Sequence, residues 1–114
     1  MPGHGPVNRL ASAELIKLIR IKVRPGHRDA FLKSQEVWNR ESATAPGYLG
    51  EYVGDGDPGE MYVLTFWRSR PEYLRWMEEE HDRIAANAGA DRHYEELDIR
   101  LIDRSGQIED PGPA

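Results

Sequence analysis

From Glu14 to Val23 the sequence ELIKLIRIKV alternates, with Ile19, Ile21 and Val23 on one face and Leu18, Arg20 and Lys22 on the other. A period of two is the pattern of a half-buried β-strand. Arg24-Pro25-Gly26 marks a turn, and from His27 to Glu41 the residues Ala30, Phe31, Ser34, Val37 and Trp38 recur at helical spacing. That stretch predicts an amphipathic helix ending before Ala45-Pro46-Gly47. Tyr48 to Val53 predicts a short strand, and the turn residues Gly54 to Gly59 join it to the strand Met61 to Trp67 as a hairpin. Ser69 stands three residues before Glu72, with Pro71 in the first turn, so a second helix is predicted from about Pro71 to Asn87. Its stripe is Tyr73, Leu74, Trp76, Met77, His81 and Ile84. After Ala88-Gly89-Ala90, the segment Tyr94 to Ile102 alternates again, with Leu97, Ile99 and Leu101 on the core side.

The order βαββαβ predicts an α+β fold, the ferredoxin-like unit of a four-stranded antiparallel sheet with two helices on one face. The domain is expected over residues 14–104, with 1–13 as an N-terminal tail and 105–114 as a C-terminal tail, because both ends are rich in Pro and Gly. The uncovered sheet face should carry Leu18, Arg20 and Lys22 on the first strand and Glu96, Asp98 and Arg100 on the last. A chain of 114 residues buries only about two-thirds of its unfolded surface, so a second copy stacked on that mixed face, a homodimer, is expected.

Composition narrows the chemistry. Twenty acidic residues against 15 basic ones give a formal net charge of -5, which removes the cationic excess needed for a nucleic-acid partner. No apolar run approaches the roughly 20 residues of a membrane span, and a signal-peptide pattern is missing at the start, so no membrane partner and a cytoplasmic location are expected. The absence of cysteine excludes disulfides, thiolate nucleophiles and cysteine-ligated metals. His4, His27, His81 and His93 make no i, i+4 pair and have no accompanying acidic set, so no metal site is expected. No glycine-rich loop precedes a helix, and no cofactor is expected.

His81 is the leading chemical candidate. Its helical phase joins Leu74, Met77 and Ile84, which aims an imidazole at the space between helix and sheet, where it can exchange a proton near neutral pH. The neighbouring Asp82 points about 100° away on an ideal helix and is not expected to orient it. Trp38, Trp67 and Trp76, with Tyr48, Tyr73 and Tyr94, are a heavy load of polar-edged rings for a small domain. They serve equally as core or as the walls of a pocket for an aromatic ligand, with Met77 beside them.

The strand ending Thr65-Phe66-Trp67, the helix start Ser69-x-Pro71-Glu72, and a ring residue nine positions after Trp67, at Trp76, resemble the dimeric α+β barrel superfamily that includes antibiotic-biosynthesis monooxygenases. Within it, Glu36-x-Trp38, Gly47-Tyr48-Leu49-Gly50, Trp67, the Tyr73/Met77 pair, His81-Asp82 and the Tyr94 strand resemble uncharacterised bacterial proteins of the YdbC-type domain-of-unknown-function family, over about residues 15–103. The resemblance implies a small secondary-metabolism enzyme that oxygenates an aromatic or polyketide-like substrate without a cofactor, or enolises and cyclises it. A non-catalytic binding module of the same fold is the alternative. For the enzyme, His81 would be the base, Trp67 or Trp76 N–H the donor to a developing oxyanion, and Trp38, Tyr48, Tyr73, Met77 and Tyr94 the substrate-binding set. Haem-degrading members of the superfamily place a histidine ligand and an asparagine where this chain has Ala86 and Ile19, so a haem role is not expected.

Overall fold

In the computed structural model, residues 11–111 are described. The strands are β1 (Leu15–Val23), β2 (Tyr48–Asp55), β3 (Glu60–Trp67), β4 (Tyr94–Asp103) and β5 (Ile108–Glu109). They form one antiparallel sheet in the order β2-β3-β1-β4-β5. The helices are α1 (Arg28–Ser42), α2 (Arg70–Glu79) and α3 (His81–Ala88), and a 3-10 turn covers Ala90–His93. The α+β architecture is the expected one, with three differences in detail.

The first difference is the second helix, which is two helices. Glu80, with φ -123° and ψ -30°, leaves helical geometry between α2 and α3. Upstream, Ser69 caps α2 as its spacing predicts, accepting from the Glu72 backbone N–H at 3.3 Å, a contact worth about 1 kcal/mol. Downstream, Gly89 closes α3 in the left-handed conformation. The second difference is at the C-terminus. Ile108 and Glu109, within the stretch read as a tail, pair with Ile102 and Leu101 as the short edge strand β5. Residues 1–10 of the expected N-terminal tail lie outside the described residues.

The third difference is two β-bulges. Between Tyr48 and Gly50 the β2 register slips against β3, so that Tyr48 opposes Trp67 and Glu51 opposes Thr65. Strict alternation would put Tyr48 and Glu51 on opposite faces. The bulge puts both on the helix side, and Gly50 absorbs the distortion at φ +132°, which other residues rarely adopt. A matching shift at Lys22/Val23 pairs Val23 with Tyr94 while Ile21 pairs with Leu97, bringing Tyr94 and Leu97 to the same side.

Apolar burial is split into two clusters on the helix-covered face. Leu15, Tyr48, Trp67, Tyr73, Trp76, Ile84 and Leu101 form one, and Ile21, Val23, Phe31, Met61 and Val63 the other. On the opposite face Ile16, Leu18, Leu64, Phe66 and Ile102 are only half-buried and Tyr52 is 62% exposed. That face is more apolar than the sequence pattern indicated, because β3 contributes Leu64 and Phe66 beside Leu18 and Ile16.

Candidate functional site

Between the two clusters the sheet carries one polar row. Lys17 and Glu51 both lie opposite Thr65, so β2, β3 and β1 present Glu51, Thr65 and Lys17 side by side toward the helices. Above this row and the next one, Val63 and Ile19, lies a cavity of about 530 Å³, within the size range of small-molecule sites. Phe31, Gln35 and Trp38 of α1, Trp76 of α2, His81 and Ala85 of α3, and Tyr94 of β4 complete most of its wall. The cavity exists because two packed ends of the core leave an unfilled middle, and the residues facing that middle include charged groups.

Of the residues singled out in the sequence, Trp38, Tyr48, Trp76, His81 and Tyr94 line this cavity. Trp67, Tyr73 and Met77 do not; they pack behind it. Trp67 is fully buried and its Nε1–H donates to Thr65 Oγ at 3.1 Å, so it holds the floor in place and is not a donor to a ligand. Tyr73 and Met77 fall on the helical stripe as expected, but the stripe is wider than the cavity and these two face the first core cluster.

The His81 ring is held between two indoles, with centroids 5.3 Å from Trp38 and 5.5 Å from Trp76, the latter edge-on. Its side chain is 15% exposed. Contrary to the ideal-helix expectation, His81 Nδ1 lies 3.1 Å from Asp82 Oδ1. The 100° separation describes Cβ directions within a helix. At the first residue of α3, after the Glu80 break, no regular preceding turn confines the ring, and its near nitrogen meets the short carboxylate. The contact leaves Nε2 as the nitrogen able to take a proton from a ligand. Asp82 itself is fully exposed, so water competes for it.

Trp76 is the second wall residue of note. Its ring stacks or tilts against Trp38, Trp67 and Tyr73, while its buried Nε1–H has no acceptor. Buried donors are nearly always paired, so this orphan is a point at which a bound oxygen would be stabilised. Tyr48 presents a ring, since its hydroxyl donates to Asn39 Oδ1 at 2.6 Å and burial pushes its ionisation well above the ordinary tyrosine range.

Two ionisable floor residues escaped the sequence analysis. Lys17 is 4% exposed, and burial brings its ammonium down to about 8. Glu51 is pushed up to about 7 by burial, an effect opposed by its hydrogen bond with Gln35. A signal for Lys17 was present: it shares the parity of Ile19, Ile21 and Val23 and so belongs to the inward face of β1. Glu51 had no such signal, because the bulge that turns it inward breaks the parity rule.

No group of three or more His, Asp or Glu suited to a metal occurs among the described residues. Ala86 and Ile19 both line the cavity and offer no ligand atom for a haem iron. Among the described residues no helix is long and apolar enough to cross a membrane.

A family model described as a domain of unknown function, DUF4937, matches residues 15–102. No curated protein matches. Among solved structures, the chain is similar to one from Bacteroides thetaiotaomicron that carries the provisional name antibiotic biosynthesis monooxygenase, with 20% identity, TM-score 0.63, and 91% of this chain and 97% of that one covered. A second with the same provisional name, from Nitrosomonas europaea, has 16% identity and TM-score 0.62 over 76% of this chain and 94% of the other. A conserved protein of Methanosarcina mazei aligns at 15% identity and TM-score 0.66 over 81% and 94%. At these identities the likeness is one of fold.

Proposed function

We propose that this chain, which belongs to the DUF4937 family, is a small enzyme acting on an aromatic or polyketide-like substrate by proton abstraction in the cavity under α1, α2 and α3. The observation that carries the reading is His81, seated between Trp38 and Trp76 on the cavity wall, with Nδ1 engaged by Asp82 and Nε2 left for chemistry. The indole and phenol rings supply stacking surface for a planar substrate. The provisional names of the structural neighbours are in keeping with oxygenation.

For an anthrone the step is balanced with dioxygen as the oxidant. His81 takes a proton from the ring methylene, the carbanion attacks dioxygen, and the peroxide collapses to the quinone with loss of water. The orphaned Trp76 N–H is the donor available to oxygen as charge develops. Enolisation followed by ring closure needs the same base, and a carbonyl on the substrate then receives the carbanion in place of dioxygen. The outward Asp82 carboxylate, which orients the imidazole only loosely, favours a second reading in which the cavity binds and releases an aromatic ligand unchanged.

The test is oxygen uptake with an anthrone, in the wild type and in His81→Ala. A positioned acid–base group is worth roughly 10²–10⁴-fold in turnover, and that loss is expected. Unchanged turnover in His81→Ala removes the catalytic assignment and leaves the binding reading.

A further inference from the structure

Lys17 is a buried cation whose anion is missing. Its Nζ lies 3.7 Å from Met77 Sδ and over the rings of Tyr73 and Trp76, at 5.5 and 5.4 Å from their centroids. Thioether sulfur and ring faces hold an ammonium, but they are weak substitutes for water or a carboxylate. Among the described residues no carboxylate comes within ion-pairing distance of it. Burying an unpaired charge is costly, and a methionine of similar length would fill the same space without that cost. The nearby Trp76 Nε1–H has no acceptor either. Both donors belong to residues that line the ring-walled cavity and both lack an oxygen; the Lys17 ammonium sits at the rear of that wall, against Met77 and Tyr73.

We propose that Lys17 is the receptor for an ionised oxygen of the ligand, a phenolate or enolate, which supplies the anion that the fold omits. The ligand class is thereby an aromatic compound with an acidic hydroxyl, bound as its anion with the rings against Trp38 and Trp76. The proton lost on binding goes to His81 or to water. The inference rests on the cavity being the ligand site. The other titratable residues lining that space are Glu51 of β2, His81 of α3, Tyr94 of β4, Asp91 and Arg92 of the 3-10 turn, and Tyr48, whose hydroxyl is turned to Asn39. Arg92 is exposed and its charge is screened by water.

The probe is p-nitrophenol, whose phenolate is coloured, titrated between about pH 5 and 8 with the full chain in excess, since a nearby cation moves an acid by one unit or more. Binding is followed separately through quenching of tryptophan fluorescence, with p-nitroanisole as the non-ionisable control. In the wild type the ionisation midpoint of bound p-nitrophenol should fall by at least about one unit, a tenfold preference for the anion. Lys17→Met should abolish the displacement while retaining p-nitroanisole binding, and Arg92→Gln should leave it in place. If both probes bind to the wild type and the midpoint does not fall, the Lys17 assignment is overturned and the cavity stands. A displacement that survives in Lys17→Met, or vanishes in Arg92→Gln, overturns it equally. If neither probe quenches fluorescence, the cavity reading fails and this inference fails with it. Retained p-nitroanisole binding shows that Lys17→Met is folded with its cavity intact, and Lys17→Gln serves in its place if that binding is lost.

Discussion

Lys17 and Glu51 flank Thr65 on a single row of the sheet, a cation and an acid two strands apart on the floor of one cavity. Their backbones stand roughly 10 Å apart; the Lys17 ammonium is turned to Met77 Sδ and away from an ion pair with Glu51, and both residues line the same cavity.

Their burial makes stability depend on pH in an unusual way. Lys17 in the fold titrates at about 8, below its ordinary 10.5, so below pH 8 the native state carries the full cost of a buried ammonium. From pH 8 to 10.5 the native state has released the proton while the unfolded chain keeps it, and stability rises. Glu51 titrates at about 7, above its ordinary 4.5, so its contribution to stability falls as pH rises from 4.5 to 7. Together they lower stability most between about pH 7 and 8. Lys17→Met should therefore be more stable than the wild type at pH 7, by on the order of 3 kcal/mol, with the advantage shrinking as pH approaches 10.5. Denaturant unfolding at several pH values checks this, and equal stability at pH 7 would contradict it.

Trp76 offers a separation of binding from chemistry. Trp76→Phe keeps a ring against Trp38 and His81 but removes the orphaned N–H, so kcat should drop by about tenfold or more with KM little changed if that N–H meets a developing oxyanion. Trp76→Ala should show the same loss of kcat and a raised KM besides, because it deletes the stacking surface as well as the N–H. Steady-state kinetics on one anthrone reads both, and an unchanged kcat in Trp76→Phe would rule out the N–H as a donor.

The uncovered sheet face should be an interface between two copies. Ile16, Leu18, Leu64, Phe66 and Ile102 form an apolar patch flanked by Arg20, Asp98 and Arg100, and contiguous apolar surface of this kind is rarely left in water. Light scattering should give a dimer mass at micromolar concentration, and Leu64→Arg should shift the population to monomer. A monomer mass for the wild type would sink the idea.

Haemin should not bind as a stoichiometric ligated complex, since Ala86 and Ile19 on the cavity wall offer no ligand atom. Titration with haemin should leave its absorbance broad. A sharp Soret band abolished by His81→Ala would show that His81 has taken the ligand's place.

The fold was legible in the sequence because it is written in local periodicity. Period-two alternation in β1 and β4, helical spacing in α1, the Gly54 to Gly59 turn and the Ser69 cap each report a local preference that tertiary packing did not override. The placement of His81 and Trp76 on one wall followed from the same helical stripe, despite the break at Glu80.

The chemistry of the cavity was only partly legible. Sequence supplied a polar-edged aromatic set, open between core and pocket, and one imidazole aimed at the space between helix and sheet. Only the tertiary structure decided that Trp67 is floor and Trp76 is wall, that Asp82 reaches His81, and that Glu51 joins Lys17 beneath the helices. The reason lies in register. A bulge at Gly50 reverses which side chains of β2 face inward, and its position is set by pairing with a strand that lies further along the chain. Local periodicity carries no information about that pairing, so a residue whose face depends on it is decided only when the strands meet.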